Sequence, residues 1–123
     1  MIGYGKELIL DVHSCDTDSF TRDSISNYLS ELCELIDMEA EDLHFWDYED
    51  EPWEYDAAPD HLKGISCTQF IRTSTIVVHT LDVLEKAFIN IFSCKDFNAQ
   101  KAADFTAYWF GGEVVQMNEI SRI

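Results

Sequence analysis

Apolar residues occur along much of this chain in short runs and in alternation with polar ones, the pattern typical of β-strands. These segments are rich in branched and aromatic side chains, and turn-forming residues separate them. The run from Lys6 to Val12, for example, is mostly apolar and is followed by the turn residues Ser14 and Asp16. The pattern predicts six strands, over residues 6–12, 43–48, 65–72, 75–80, 87–93 and 113–120.

Two other segments place apolar residues at intervals of three and four, which is typical of helices with one buried face. The first predicted helix covers residues 20–36, with the carboxylates of Asp16 and Asp18 as candidate caps. The second covers residues 98–110, where Asn98 is a suitable N-cap and a pair of glycines follows the last turn.

The most polar part of the chain lies between the second and third predicted strands. Residues 47–60 contain seven carboxylates and both prolines of the sequence. Prolines and clustered polar residues interrupt regular structure, so this segment is predicted to be a loop. Its carboxylates are candidates to hold a cationic substrate side chain, and a solvated surface loop is the ordinary alternative.

The resulting order of elements is β-α-β-β-β-β-α-β. Such an order predicts an α+β fold, a two-layer sandwich in which a mostly antiparallel sheet carries two helices on one face. With 123 residues, the chain is long enough for a single domain, residues 1–123, with its own core. Since the other face of the sheet also needs cover, we expect a homodimer or a larger homo-oligomer.

A strong excess of acidic residues limits the classes of partner. The formal net charge is −16, from 24 acidic and 8 basic side chains. Such a charge argues against binding to nucleic acid or to an anionic membrane surface, and it favours a cationic ligand. An acidic surface that keeps the protein soluble explains the same charge without a ligand.

The cysteine and histidine spacings do not predict disulfides or a metal. No stretch approaches the apolar length of a membrane span, and the first residues lack the pattern of a secretory signal, so we expect a cytoplasmic protein. Thiols stay reduced in that compartment. The four cysteines and four histidines also lack the close pairs of a structural zinc site.

Five short motifs, spread over most of the chain, have the same order as those of one known family. They are GKELILDVHSCD at 5–16, HFW at 44–46, GIS at 64–66, TSTIVVHT at 73–80 and FSCK at 92–95. With these motifs the chain resembles the small prokaryotic form of the S-adenosylmethionine decarboxylase family. The family's counterparts of the last four are His-x-aromatic, Gly-Val-Ser, Glu-Ser-His-x-x-x-His-Thr and Phe-Thr-Cys-Gly, and the spacings from 66 to 74, 79 and 94 match without a gap.

The resemblance implies that the chain processes itself. In the family, the serine that matches Ser74 attacks the preceding carbonyl, and β-elimination then splits the chain and leaves a pyruvoyl group. The products here would be residues 1–73 and 74–123. By resemblance, His79 removes the proton for elimination and Ser66 steers the intermediate. A histidine suits the first role because its side chain titrates near neutrality.

The same resemblance implies a lyase in which the pyruvoyl group derived from Ser74 is the cofactor. The pyruvoyl carbonyl forms a Schiff base with the substrate amine and accepts the electrons that are released as carbon dioxide leaves. By resemblance, Cys94 then returns a proton to the substrate carbon, a role open to a thiol whose pKa is suitably tuned.

The residues that would recognise the substrate depart from the family pattern. After His-Thr the family has Trp-Pro-Glu, whose tryptophan stacks on adenine and whose glutamate holds the ribose hydroxyls. This chain has Leu81, Asp82 and Val83 at those positions, and neither leucine nor valine can make these contacts. Trp46 matches the family's other stacking aromatic, and Asp82 or Glu85 is a candidate to replace the missing acid.

Two further departures lie beside the processing serine. The family's preceding glutamate is Thr73 here, and its following histidine is Thr75. The change at 73 leaves the chemistry possible, because the group attacked is a backbone carbonyl. The acidic segment 47–60 is also longer than its family counterpart.

Three functional classes therefore stay open. The first is a pyruvoyl-dependent S-adenosylmethionine decarboxylase of spermidine biosynthesis, made from an inactive precursor. The second is the same scaffold with another cationic substrate, arginine or ornithine. The third is an unprocessed, non-catalytic homologue that binds a partner. In that last case Ser74, His79 and Cys94 have only their ordinary roles as turn, hydrogen-bonded and buried residues.

Overall fold

The alternating segments form one six-stranded antiparallel sheet. The computed structural model describes residues 3–123. Its strands lie in the order β2-β3-β4-β5-β1-β6, and every neighbouring pair is antiparallel. The strands are β1 (Gly5–His13), β2 (Ala40–Trp46), β3 (Gly64–Ile71), β4 (Ser74–Leu81), β5 (Lys86–Ser93) and β6 (Glu113–Arg122). The α+β two-layer prediction is thereby confirmed.

Two long helices cover one face of this sheet, as the periodicity indicates. They are α1 (Arg22–Leu35) and α3 (Ala99–Phe110), and their apolar residues share one core with the strands. Asn98 caps α3 by accepting a hydrogen bond from the N–H of Lys101. The first helix instead begins after Thr21, whose hydroxyl accepts from Ser24 N–H, because Asp16 caps a separate 3₁₀ turn at Thr17–Ser19.

The prediction of a loop over residues 47–60 is wrong in its middle part. A short helix, α2 (Pro52–Ala57), lies there, and a 3₁₀ turn follows at Asp60–Leu62. Proline has the backbone angle of a helix already fixed and lacks only an N–H that the first turn does not use. The same residue type that interrupts a helix interior therefore begins a helix here, and residues 3–123 contain three α-helices where two were predicted.

Strand ends differ from the predicted bounds by a few residues. β2 begins at Ala40 and ends at Trp46, where residues 43–48 were predicted. β4 begins at Ser74, one residue early, because Ser74 pairs with Ile71 and closes a two-residue turn between β3 and β4. This pairing fixes the position of the candidate processing serine.

The two faces of the sheet differ in cover. On the helix side, residues such as Leu10, Ile76 and Ile89 are fully buried. On the other side, which we call the open face, Trp46 is 86% exposed and Phe70 is 45% exposed.

No helix within residues 3–123 is long and apolar enough to cross a membrane. In the same residues, no group of three or more His, Cys, Asp or Glu side chains is arranged to hold a metal ion.

Candidate active site

The candidate processing serine lies at a tight turn of the sheet. Arg72 and Thr73 form the turn between β3 and β4, and Ser74 is the first residue of β4. Ser74 is only 5% exposed, whereas both turn residues are exposed. The peptide bond between residues 73 and 74 therefore joins an exposed turn to a fixed, buried strand.

Ser74 and Cys94 are in contact. The backbone N–H of Cys94 donates a hydrogen bond to Ser74 Oγ, with 3.0 Å between the two atoms. β4 and β5 are neighbours with Thr75 opposite Phe92, so the residue that follows β5 reaches the start of β4. Gly5 on β1 contributes to this position, because a Cβ there would lie 2.0 Å from the carbonyl oxygen of Ser93.

The thiol of Cys94 has an environment unlike that of the other cysteines. Hydrogen bonds from the side chains of Thr73 and then Ser74 lower its pKa. Burial raises the pKa of Cys15 and Cys33 to about 11 and that of Cys67 to about 12. Of the four thiols, the one beside Ser74 is thus the one whose pKa is lowered, which favours it over the other three for proton transfer.

A cavity of about 360 Å³ adjoins Ser74 and Cys94, and we call it the Ser74 cavity. Charged side chains of both signs line it, with Arg72 and Lys95 as the positive ones and Asp37, Glu39 and Glu41 as the negative ones. Lys95 Nζ donates to the backbone carbonyl of Asp37, which connects the end of α1 to the end of β5. The cavity has the volume and the mixed charge to admit a small zwitterionic substrate.

Ser66 and His79 form a second group of candidate residues. They lie opposite each other on β3 and β4, with 2.7 Å between Ser66 Oγ and His79 Nδ1. Trp46 on β2 is opposite Ser66, and all three line a cleft of about 180 Å³ on the open face. The structure therefore brings the candidate base, the steering serine and the stacking aromatic together.

One chain does not bring these two groups together. Ser74 and His79 are five residues apart on β4, which corresponds to about 16 Å along a strand. An odd separation also directs their side chains to opposite faces, and Ser74 is buried whereas His79 is exposed. Within a single copy, His79 is too far away to take a proton from Ser74.

The two candidate replacements for the missing acid lie elsewhere. Asp82 Oδ2 accepts a hydrogen bond from the Tyr55 hydroxyl at 2.8 Å, and this bond is the main cause that raises the pKa of Tyr55 to about 12. Asp82 Oδ1 is buried without a hydrogen-bond partner among residues 3–123. Asp82 lines a cavity of about 390 Å³ with Ile65 and Arg22, on the helix side, away from Trp46. Glu85 is an exposed turn residue between β4 and β5.

The acidic segment is attached to the body of the protein by an ion pair. Arg22 Nε and Nη2 donate to the two carboxylate oxygens of Asp47 at 2.6 and 2.7 Å, and this pairing lowers the pKa of Asp47. Carboxylates of this segment also line a second cavity of about 390 Å³, together with Trp46 and Ser66 of the open face, and we call this cavity the acidic cleft. They are Asp47, Asp50, Glu51 and Glu54.

Sequence reasoning did not identify three features of the site. These are the left-handed backbone of Thr73, the contact of Lys95 with Asp37, and the pairing of Arg22 with Asp47. The two residues of each side-chain pair are far apart in sequence, so no local pattern predicts either contact. The conformation of Thr73 had one local signal, the two residues left between adjacent strand patterns, because tight hairpin turns require positive φ.

Most of the chain is similar to a known family and to a solved structure. The S-adenosylmethionine decarboxylase family matches residues 6–123. The crystal structure of the adenosylmethionine decarboxylase from Aquifex aeolicus matches with a TM-score of 0.70 and 15% sequence identity, over 94% of this chain and 86% of that one. No curated protein sequence matches.

The structural match shows the shared fold, and the family match adds the relationship. The residues that the family matches include the turn with Ser74, the Ser66–His79 pair and Cys94, and they extend over almost the full length of the chain. The chain therefore belongs to the S-adenosylmethionine decarboxylase family, a family of decarboxylases of polyamine biosynthesis.

Proposed function

We propose that this protein is a pyruvoyl-dependent carboxy-lyase that cuts its own chain between Thr73 and Ser74. The observation that carries the proposal is the hydrogen bond from Cys94 N–H to Ser74 Oγ, beside a thiol of lowered pKa. A serine hydroxyl is a weak nucleophile that needs positioning, and such a bond fixes the position of its oxygen. By family resemblance the products are residues 1–73 and 74–123.

The proposed cleavage balances as three steps. Ser74 Oγ attacks the carbonyl carbon of Thr73, the C–N bond breaks, and the hydroxyl proton passes to the released amine, which leaves an ester. A base then removes the α-proton of Ser74, and the carboxylate of Thr73 leaves. Water finally replaces the nitrogen at the new N-terminus and ammonia departs, so that residue 74 ends as a pyruvoyl group.

The residues around position 74 fit such a group. Ser74 begins a buried strand, and the Ser74 cavity beside it can admit a substrate. When formed, the group supplies an electron-accepting carbonyl for loss of carbon dioxide. Cys94 would hold a proton on Sγ and deliver it to the substrate carbon, and Arg72 and Lys95, which line the same cavity, offer positive charge for a carboxylate.

We infer that a second copy of the chain supplies the base. The open face exposes Trp46 and Phe70, and pairing of two such faces would cover both. In an isologous pair with opposed strand directions, the Ser66–His79 end of one copy lies over the Ser74 end of the other. A homodimer of this kind would bring His79 of one copy over the open-face side of the Thr73–Ser74 turn of the other, so that the proton in its reach is the one on the backbone α-carbon of Ser74, whose side chain faces the helices. We also propose a cytoplasmic location, where the Cys94 thiol stays reduced.

For the substrate we propose S-adenosylmethionine, bound between two copies, with Trp46 of one copy stacking on its adenine and residue 74 of the other copy meeting its amine. Asp82 and Glu85 receive no part in this contact, because the first lies on the helix side and the second in a distant turn. The sulfonium charge suits the acidic cleft, which opens beside Trp46 and Ser66.

The same cleft favours a second candidate, decarboxylation of arginine or ornithine. The family's stacking tryptophan and ribose-binding glutamate are Leu81 and Val83 here, whereas carboxylates such as Glu51 and Glu54 are added nearby. A guanidinium or ammonium group pairs well with carboxylates.

An intact mass spectrum of the purified protein tests the proposal. We expect two fragments, residues 1–73 and residues 74–123 with an N-terminal pyruvoyl group, and an uncut chain for Ser74→Ala. A wild-type chain that stays whole on prolonged incubation overturns the proposal and leaves a non-catalytic homologue. Release of carbon dioxide from S-adenosylmethionine, compared with arginine and ornithine, then decides between the two substrates.

A further inference from the structure

We propose that strain in the backbone of Thr73 promotes cleavage of the peptide bond that follows it. Thr73 has a φ of 55°. For a β-branched residue this left-handed conformation is a true outlier, because Cβ approaches the next carbonyl oxygen. The inference rests on the proposed self-cleavage, since it assigns a role in that reaction to the residue before the scissile bond.

Thr73 differs from the other non-glycine residues of positive φ in the described part of the chain. Ser14, Asp37 and Glu85 have φ values of 56°, 58° and 54°. All three lie in turns, and none of them has a branched Cβ. Asp and Asn adopt the left-handed region several-fold more readily than most residues. The residue least suited to this conformation is therefore the one that carries the carbonyl attacked by Ser74.

The surrounding structure prevents Thr73 from relaxing. Ile71 and Ser74 are paired across the turn and are 9% and 5% exposed, so both strand ends are fixed. Ser74 Oγ is also held by the N–H of Cys94. Within the turn, Thr73 Oγ1 lies 2.7 Å from the carbonyl oxygen of Arg72, and the hydroxyl donates its one proton either there or to the thiolate of Cys94. Only two residues remain to close the hairpin, and such turns need positive φ.

Cleavage removes this constraint. Once the C–N bond between residues 73 and 74 is broken and the carboxylate of Thr73 has left, residue 73 is a chain end that closes no turn. Its φ can return to the negative range. Strain that is present in the uncut chain and is released as the bond to Thr73 breaks lowers the barrier to that step, and strain of this size changes a rate by about 5- to 30-fold.

Four variants separate strain from other roles of the residue. Thr73→Gly removes the penalty for positive φ, and Thr73→Asn reduces it while keeping a side chain. Thr73→Val keeps the branched Cβ and removes only the hydroxyl. Ser14→Gly relaxes a matched residue, of φ 56°, in an exposed turn at the opposite end of the sheet.

The first readout is the rate at which the freshly folded chain is cut, followed by intact mass. We expect cleavage of Thr73→Gly to be about 5- to 30-fold slower than wild type, Thr73→Asn to lie between, Thr73→Val to be clearly faster than Thr73→Gly, and Ser14→Gly to stay within about twofold of wild type. The second readout is the folding equilibrium in the uncut Ser74→Ala background. There Thr73→Gly should raise the ratio of folded to unfolded protein about fivefold, and Ser14→Gly should raise it similarly.

The outcomes distinguish this inference from the function on which it rests. Wild-type protein that is never cut refutes self-cleavage itself. Wild-type protein that is cut, with Thr73→Gly cut equally fast, refutes only the role of strain. Slow cleavage of Thr73→Val, at the rate of Thr73→Gly, would also overturn it, because the hydroxyl would then be responsible.

Discussion

Ser74 and His79 belong to the same strand, β4, but their side chains leave opposite faces of the sheet. Their five-residue spacing, which suggests a serine with its base nearby, instead separates them by about 16 Å. His79 pairs with Ser66 on the open face, and Ser74 contacts Cys94 at the other end of the strand. The proposed site is complete only when two copies meet, and this gives the first prediction.

Two inactive variants should restore cleavage when they are mixed. His79→Ala keeps a processing serine but lacks the base, and Ser74→Ala keeps the base but cannot be cut. In a mixed dimer the His79→Ala chain receives His79 of its partner, so we expect it alone to be cleaved after the two are unfolded and refolded together. Mass spectrometry identifies which chain is cut.

Each variant refolded alone is the control for this mixture and should stay whole. If the mixture also stays whole while both proteins are folded, the base does not come from a second copy. Cleavage of His79→Ala alone would show that His79 is not the base.

Cys94→Ala should leave chain cleavage at the wild-type rate, because the bond that holds Ser74 Oγ comes from the backbone N–H of residue 94. Decarboxylation should fall by about 10²- to 10⁴-fold, the usual contribution of a positioned proton donor. Cleavage is followed by mass and turnover by release of carbon dioxide. Full turnover by the cleaved variant would remove Cys94 from the reaction.

The reactivity of Cys94 should follow its lowered pKa. In the uncut Ser74→Ala chain, alkylation by iodoacetamide should begin at lower pH than for a free thiol, because Thr73 still stabilises the thiolate. Adding Thr73→Val removes the largest cause of the lowered pKa and should move the pH profile of alkylation to higher pH. Cys15, Cys33 and Cys67, which are buried, should stay unmodified in the folded protein. An unchanged profile after Thr73→Val would contradict the assigned cause.

The pairing of Arg22 with Asp47 should make stability depend on pH. Arg22 lowers the pKa of Asp47 in the folded chain, so the charged carboxylate stabilises the fold above its unfolded pKa of about 3.9. That stabilisation is lost as pH falls through the folded value. At pH 7 we expect Asp47→Asn to lower the free energy of unfolding by about 1 kcal/mol, a modest figure because Arg22 is partly exposed.

Denaturant unfolding at pH 7 and at pH 3 measures this difference, which should shrink at the lower pH. Asp56→Asn is the matched control, since Asp56 belongs to the same segment and is exposed. An equal loss for both variants would mean that Arg22 is not the cause.

A buried hydrogen bond joins α1 to α3, and the free energy of unfolding should fall by different amounts when one or the other partner is removed. Tyr28 Oη and Thr106 Oγ1 are 2.7 Å apart, and Thr106 already donates its one hydroxyl proton to the carbonyl of Ala102, so Tyr28 is the donor. Tyr28→Phe should cost about 1 kcal/mol, and Thr106→Val, which leaves the Tyr28 hydroxyl unpaired, up to about 3 kcal/mol. The double variant should be less destabilised than the sum, as unfolding in denaturant will show. Equal single losses that add would refute the bond.

The sequence predicts the layers of the fold well because burial imposes a period. Positions such as Leu8, Leu10 and Val12 alternate on β1 because every second side chain faces the helices. Asn98 and Gly111 mark the ends of α3 by local rules of capping. The helix α2 was missed because Pro52 and the acidic residues around it are equally common in loops, and only contacts such as Tyr55 with Asp82 distinguish the two.

Local pattern and family resemblance together name the candidate residues Ser66, Ser74, His79 and Cys94, and the sequence alone fixes their order and spacing. Tertiary structure alone decided how they are grouped, as Ser74 with Cys94 and Ser66 with His79. It also decided that Asp82 lies on the helix side and that Thr73 has positive φ. The physical reason is that spacing along a strand sets the face and height of a side chain, whereas its neighbours depend on strand order and register, which distant residues determine.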